Sequence, residues 1–366
     1  MTPEPAVPAG ARTSRRQLVG LIVLFAVVVA VLLLGISPAP YVVERPGPVY
    51  DTLGTTTVDE DEVAVIEIDG AESFPTDGRL DLLTVYIDGS RENPLDWFSV
   101  VAAWLDPRRA VVPVDHIFPA GETDEESDER SAIAMQGSHE MATAAALDEL
   151  DIDYASFVTV QLVSEDGPAD GVLALDDEIL AINGTPITSD AELRAEIADA
   201  GVGAELELRI RRGSAEQTVT VTTEARSASD ATPIVGIVPG VRFEFPFEVD
   251  IHLQRVGGSS AGMMFALGIY DLLTPGALTG GEHIAGTGTI DADGRIGVIG
   301  GVQQKMFGAR DAGADWILVA QGNCGEVVGN EPEGLRVVAV STFSEAVDAV
   351  RAIGTGSGVD ALPTCG

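Results

Sequence analysis

The stretch Leu18–Ile36, LVGLIVLFAVVVAVLLLGI, runs for nineteen residues without one charge. An α-helix needs about 20 mostly apolar residues to cross the hydrocarbon of a bilayer, and a helix apolar on every side has no face to offer water. The segment therefore predicts a transmembrane helix over residues 18–37. Arg12, Arg15 and Arg16 precede it, whereas the sequence after Pro38 is mainly acidic. Arginine excess marks the cytoplasmic side. The expected topology is a cytoplasmic tail (1–17), a single pass through the cell membrane, and everything else extracytoplasmic. A cleaved signal peptide is the competing reading. Against it, the apolar run is longer than a usual signal core, and ISPAPYVVERP offers no clear small-x-small cleavage site.

The chain of 366 residues has room for about two domains beyond that helix. A formal charge of −37 excludes the clustered basic surface that nucleic acid requires. One lysine, Lys305, stands against twenty arginines. Arginine keeps its proton in proteins, while a buried lysine can lose it, so this position is a candidate for an amine acting as a base. Two cysteines, Cys324 and Cys365, can persist as a disulfide outside the cytoplasm and would staple the C-terminal tail (355–366) to the body. Four scattered histidines, with no HExxH or CxxC, leave no metal site expected. No GxxxxGK[ST] occurs, so neither ATP nor any other cofactor is expected.

Along the chain, SPAPYVVERPGPVYD reads as an extended stalk or an entry segment. VAVIEI (Val63–Ile68) and GRLDLLTVYIDG (Gly78–Gly89) read as strands, and AGETDEESDERS (residues 120–131) as a solvated acidic loop. Ile133–Leu150 has helical spacing. From Phe157 short strands surround one helix near Ala191–Ala198, and ARSASDATP (Ala225–Pro233) reads as a polar linker. Beyond it, Phe243–Leu253 alternates like a strand and Ser260–Leu273 is a buried helix. Two short strands around a DADG turn follow, then a helix at Val302–Ala312. WILVA and LRVVAV are buried strands, and FSEAVDAVRAI is the last helix. The fold class is α+β.

Gly257-Gly258-Ser259-Ser260-Ala261-Gly262 is a glycine turn that delivers a serine at the start of an apolar helix. Free N–H groups at a helix start can hold a developing oxyanion. Taken alone, such a serine is more often a plain helix cap. A hydroxyl nucleophile needs a base. His252 and His283 have no acidic partner evident in the sequence, whereas Lys305 enters a helix from a glycine turn between apolar strands, where burial would lower its pKa.

SSAGMMFAL, GTGTID and GRIGVIGGVQQKMFGARDAGADWILVA together resemble the proteolytic domain of Lon, a Ser-Lys dyad peptidase with the ribosomal protein S5 domain 2-like fold. The resemblance implies Ser260 as nucleophile, Lys305 as general base and Thr287 as a residue orienting the lysine, with Ala261 and Gly258 supporting the oxyanion. Ser259 replaces the family's usual proline, and Gly257 stands where many members carry aspartate. GPA followed by DEILAINGTPI resembles a bacterial PDZ domain over Phe157–Thr223. Asp176 replaces a usual glycine there, and no glycine-rich loop for gripping a peptide C-terminus is evident. The expected organisation is an N-terminal part of the Lon-like domain (41–152), an inserted PDZ domain (157–225) and the catalytic part (234–354). Anchor, PDZ module and motorless Lon-like domain together resemble the membrane-anchored, ATP-independent YlbL-type proteases of bacteria. The implied partners are a peptide or small membrane-protein substrate and, by family analogy, further copies of the chain in a hexamer. The alternatives are an inactive PDZ adaptor on a Lon-like fold and, more weakly, a phosphate binder using GTGTIDADG.

Overall fold

The computed structural model describes residues 15–35, 37–58, 61–227, 229–253 and 256–366. Arg12 and most of the expected cytoplasmic tail lie outside them. Helix α1 (Arg15–Gly35) covers the apolar stretch. Leu18, Leu21, Val23, Leu24, Phe25 and Leu32 along it are all more than half exposed. Ile36 and the side chains at 30, 33 and 34 are outside the described set. Among the residues described, no helix is long and apolar enough to cross a membrane.

The first segment after α1 forms β1 (Tyr41–Asp51), β2 (Thr55–Val58), β3 (Asp61–Ala64), β4 (Ile66–Asp69), β5 (Arg79–Asp88), α2 (Trp97–Trp104), β6 (Ala110–Pro113), α3 (Val114–Ile117) and α4 (Asp124–Glu149). Two expectations fail here. The proline-rich stalk is β1, a strand of the main sheet that pairs with both β5 and β6. Val42 and Val43 are buried in it, and the register shift falls between Pro46 and Val49, where a proline's missing N–H costs no ladder bond. Nor is the acidic run a loop from end to end. Thr123 and Glu126 form a reciprocal capping box, and α4 begins at Asp124 with three acids in its first turn, favourable at the positive end of the helix dipole.

A second sheet follows, built from β7 (Ala155–Val163), β8 (Glu178–Ile182), β9 (Thr185–Pro186), β10 (Glu205–Arg212) and β11 (Ala215–Thr222), with α5 (Asp190–Ala200) beside it. The expected linker is a hairpin, β12 (Glu224–Ser227) and β13 (Asp230–Ile234). Strand β14 (Ile237–Glu244) then pairs with β7 along its whole length, so this sheet closes at residue 244 and the boundary expected between 225 and 234 moves. Sequence pattern alone assigns an alternating strand to neither neighbour; the ladder partner decides. Asp176 adopts φ 63°, the left-handed conformation that explains a glycine preference there and that Asp tolerates better than most residues.

The last segment comprises β15 (Glu248–Ile251), α6 (Gly262–Leu273), β16 (His283–Thr287), β17 (Thr289–Ile290), β18 (Ile296–Gly297), α7 (Val302–Asp311), β19 (Trp316–Ala320), α8 (Cys324–Val327), β20 (Arg336–Val340) and α9 (Phe343–Thr355). It returns to the first: β15 pairs with β4, and β16 lies parallel to β5. The main sheet has the order β20-β19-β16-β5-β1-β6. Successive residues point to opposite faces of a strand, and both faces are covered. Leu80, Leu82, Ile284, Leu318 and Val338 pack with α4, α6 and α9, while Leu83, Ala285, Ile317 and Val319 pack with α7. The PDZ-like sheet has a separate core around Val158, Ile179, Leu193 and Leu208.

Two side-chain features of this body have measurable consequences. Cys324 and Cys365 are bonded, with Cα atoms 4.9 Å apart and a sequence separation of 41. Closing a loop of that size stabilises by about 4 kcal/mol in the chain-entropy description. Cys365→Ser is therefore expected to lower the urea midpoint, and both thiols of the native chain should resist alkylation until reduced. Asp271 on α6 is fully buried; Oδ1 accepts the Leu278 N–H at 2.7 Å, and Oδ2 has no partner among the described residues. Burial pushes its carboxyl up to about 6. A raised carboxyl stabilises the fold below the unfolded value near 3.8, and that contribution is lost as pH rises through 6. Asp271→Asn keeps the acceptor and removes the charge, so it should gain about 2–3 kcal/mol at pH 7.5 and little at pH 4. Parallel denaturation curves at the two pH values would contradict this.

Candidate active site

Ser260 lies in the turn that leads into α6, and that turn is held from two sides. The Gly258 N–H donates to Ser131 O at 2.8 Å and the Ser138 hydroxyl to Ser259 O at 3.3 Å, both from α4. The Gly288 N–H donates to Ser260 O at 3.0 Å, and the Met263 N–H to Gly288 O at 3.1 Å. Gly262 permits this closeness, since a Cβ there would fall 2.8 Å from Ile290 and 2.9 Å from the Ser138 hydroxyl.

Lys305 reaches the same point from the other face of the sheet. It is on the first turn of α7, whose N-cap, Gly301, has φ 67° and turns the chain into the helix. Only 2% of Lys305 is exposed. Its Nζ is 2.8 Å from Ser260 Oγ and 3.0 Å from Thr287 Oγ1. The Thr287 hydroxyl donates to Ser260 O at 3.1 Å. Its proton being so committed, Thr287 can only accept from the amine. A neutral Lys305 then gives one N–H to Thr287 and directs its lone pair at the Ser260 hydroxyl. Burial pulls the amine down to about 8, with the Glu44 carboxylate acting in the opposite direction. That is about 3 kcal/mol against the ammonium.

The residues expected from sequence thus fall into two groups. Ser260, Lys305 and Thr287 meet within hydrogen-bond distance. Ala261 is the N-cap of α6, and neither its N–H nor that of Ser260 has a backbone acceptor among the described residues. Gly258 departs from the expected role: its N–H is spent on Ser131 and cannot also serve an oxyanion. His252 pairs with Glu67 at 3.4 Å and His283 with the buried Asp81 at 2.5 Å, so both histidines are engaged elsewhere. No group of residues suited to a metal ion occurs among those described.

Glu44 was hidden from sequence reasoning. It is 8% exposed on β1, and its Oε2 lies 3.3 Å from where a side chain at Gly301 would begin, against the first turn of α7. Burial raises its carboxyl above the usual range, opposed by the charge of Lys305. The signal lay in an acid among valines, but it is only informative once the segment is known to be a strand.

A groove of about 430 Å³ opens beside the serine, lined by Pro48, Tyr50, Leu83, Met135, Val256 and Ser260 among others, with no charged side chain among the described residues. A larger hollow of about 1000 Å³ lies at Glu282, Asp315, Arg336 and the residues after α9, remote from this chemistry. On the second sheet, β14 is an edge strand and faces α5 across a groove of about 430 Å³ lined by Leu193, Ile197, Val235, Gly236 and Ile237. Gly236 has φ 75° there.

Residues 248–352 match the model of the Lon protease (S16) C-terminal proteolytic domain, and residues 133–223 match a PDZ domain model. The chain is thus similar to Lon-type proteolytic domains over the first of these segments and to PDZ domains over the second. Lon protease 2 of Bacillus subtilis (strain 168) is 30% identical over 110 residues, 29% of this chain and 19% of that one. Lon protease 2 of Herpetosiphon aurantiacus is 34% identical over 115 residues, 30% of this chain and 14% of that one. The matched part of the chain thus spans less than a fifth of the length of these curated relatives. Among solved structures, the chain is similar to the PDZ domain of the SdrC-like protein from Listeria monocytogenes (28% identity, 22% of this chain, 85% of that chain, TM-score 0.21). The corresponding domain from Listeria innocua gives 29%, 23%, 92% and 0.22.

Proposed function

We propose that the chain is an ATP-independent serine endopeptidase, tethered to the outer face of the cell membrane by the apolar sequence segment 18–37, of which α1 is the described part. The reading rests on one observation: a nearly fully buried amine 2.8 Å from a serine oxygen at the start of a helix. Neutral Lys305 takes the Ser260 proton as Oγ attacks the scissile carbonyl carbon. The oxyanion that forms is held by the Ser260 and Ala261 N–H groups at the positive end of α6. The Lys305 ammonium then gives its proton to the departing amine. Water, deprotonated by the same lysine, hydrolyses the acyl-enzyme and restores the hydroxyl. The groove beside Ser260, uncharged among the described residues, favours uncharged residues next to the scissile bond. No motor motif occurs in the sequence, so substrates are unfolded segments, peptides or small membrane proteins. The PDZ module presents them by accepting an extended segment along the open edge of β14. The exposed, uncharged flank of α1 supports the anchor.

The test uses the full chain in nanodiscs and an unstructured peptide carrying scattered apolar residues. Wild type should cleave it without ATP and in the presence of a chelator. Ser260→Ala should fall by a factor on the order of 10⁵, to background. Undiminished cleavage by Ser260→Ala would end the proposal.

A further inference from the structure

Helix α2, WFSVVAAW, has two apolar faces and only one is used. Val100 and Ala103 are fully buried against the body. Opposite them, Phe98, Val101, Trp104 and Leu105 are 54%, 45%, 57% and 82% exposed. Single exposed apolar residues are ordinary, but four of them within eight positions make a patch. No charged side chain interrupts it, since Asp96 and Asp106 only flank the helix.

The position of this patch is fixed. The Phe98 ring fills the space that a side chain at Gly35, the last residue of α1, would need. Pro38 bridges to Asp96, and the Ala39 N–H donates to Leu95 O at 2.8 Å. Asp96 then caps α2 by accepting from Phe98 and Ser99 N–H groups. Helix α2 therefore starts where α1 ends, and eight residues carry it no more than about 12 Å away. Tyr41 stacks edge-on to both Trp97 and Trp104, at 5.9 and 6.2 Å. Three of the chain's eight tryptophans and tyrosines thus gather at the mouth of α1. Such amphipathic rings favour the headgroup level of a bilayer.

We infer that α2 lies in the membrane interface, with Phe98, Val101, Trp104 and Leu105 dipped into lipid, as a second contact that seats the extracytoplasmic body on the bilayer. The inference rests on the proposed membrane role of α1. Given that role, the outer face of α2 is brought to the lipid surface by the contacts with Gly35, Pro38 and Ala39, and needs no other occupant.

The full chain is reconstituted in phosphatidylcholine vesicles carrying a nitroxide near the headgroup, and tryptophan emission is read. Wild type should be quenched. The Trp97→Phe/Trp104→Phe variant should lose that quenching at least about two-fold, because the remaining Trp316 is in the core. Leu105→Glu should move Trp104 emission toward longer wavelength while the chain still floats with the vesicles after an alkaline wash. Flotation with no quenching of wild type overturns the interfacial role of α2 and leaves the anchor standing. Loss of flotation itself overturns the anchor, and this inference with it. A photo-crosslinker at position 105 that joins two copies of the chain, rather than chain to lipid, also overturns it.

Discussion

Lys305→Met is expected to lower kcat/KM by on the order of 10³-fold on the alkaline plateau, and by less at lower pH, while leaving the fold intact. Methionine has the reach of lysine without the amine, and the site already disfavours a charge by about 3 kcal/mol. Stability should therefore hold or rise, which separates this variant from one that merely unfolds. Lys305→Arg should be as inactive, for a different reason: guanidinium keeps its proton and cannot accept one from Ser260. Both variants should still bind the unstructured peptide. A lysine that only braced the turn would behave otherwise, since arginine would then restore much of the activity.

The second large effect is on pH. With a base pulled down to about 8, kcat/KM should rise nearly tenfold from pH 6 to pH 7, about fivefold from pH 7 to pH 8, and level off above pH 9. The Glu44 carboxylate favours the ammonium and so raises the midpoint. Glu44→Gln should move the rising limb to lower pH, increasing activity at least about two-fold at pH 7 and leaving the plateau unchanged. A purely structural Glu44 would change the plateau or the melting point and leave the limb in place. An alkaline-side loss of activity, with a limb falling through pH 8, would contradict Lys305 as base altogether.

Much of the fold was legible because it depends on local pattern. The runs GRLDLLTVYID, WILVA and RVVAV alternate or stay apolar as sheet residues buried on both faces must, and α6 and α9 show helical spacing. What escaped depends on partners distant in sequence. Prolines in ERPGPVYD argued against a strand, yet they sit at a register shift where the ladder has no use for their N–H groups. The acidic run 124–131 became helix because Thr123 and Glu126 cap it and the rest of α4 packs on α6. Residues 237–244 joined the second sheet because β7 offered them a full ladder. At the site, the spacing of GSSAG, GTGT and GGVQQK fixed the order of Ser260, Thr287 and Lys305. It could not indicate that Gly258 gives its N–H to Ser131, nor that Glu44 lies against the first turn of α7. Both facts come from long-range packing of α4 and β1.

The composition that singles out Lys305 also supplies the most direct test of its role. With one lysine in the chain, ¹⁵Nζ-lysine labelling yields a single side-chain resonance. Its titration reads the proton affinity of the proposed base with no substrate and no activity assay. A midpoint near pH 8 that moves down in Glu44→Gln is the result expected from a buried amine beside Ser260. A midpoint at the ordinary lysine value, unaffected by Glu44→Gln, would contradict the dyad.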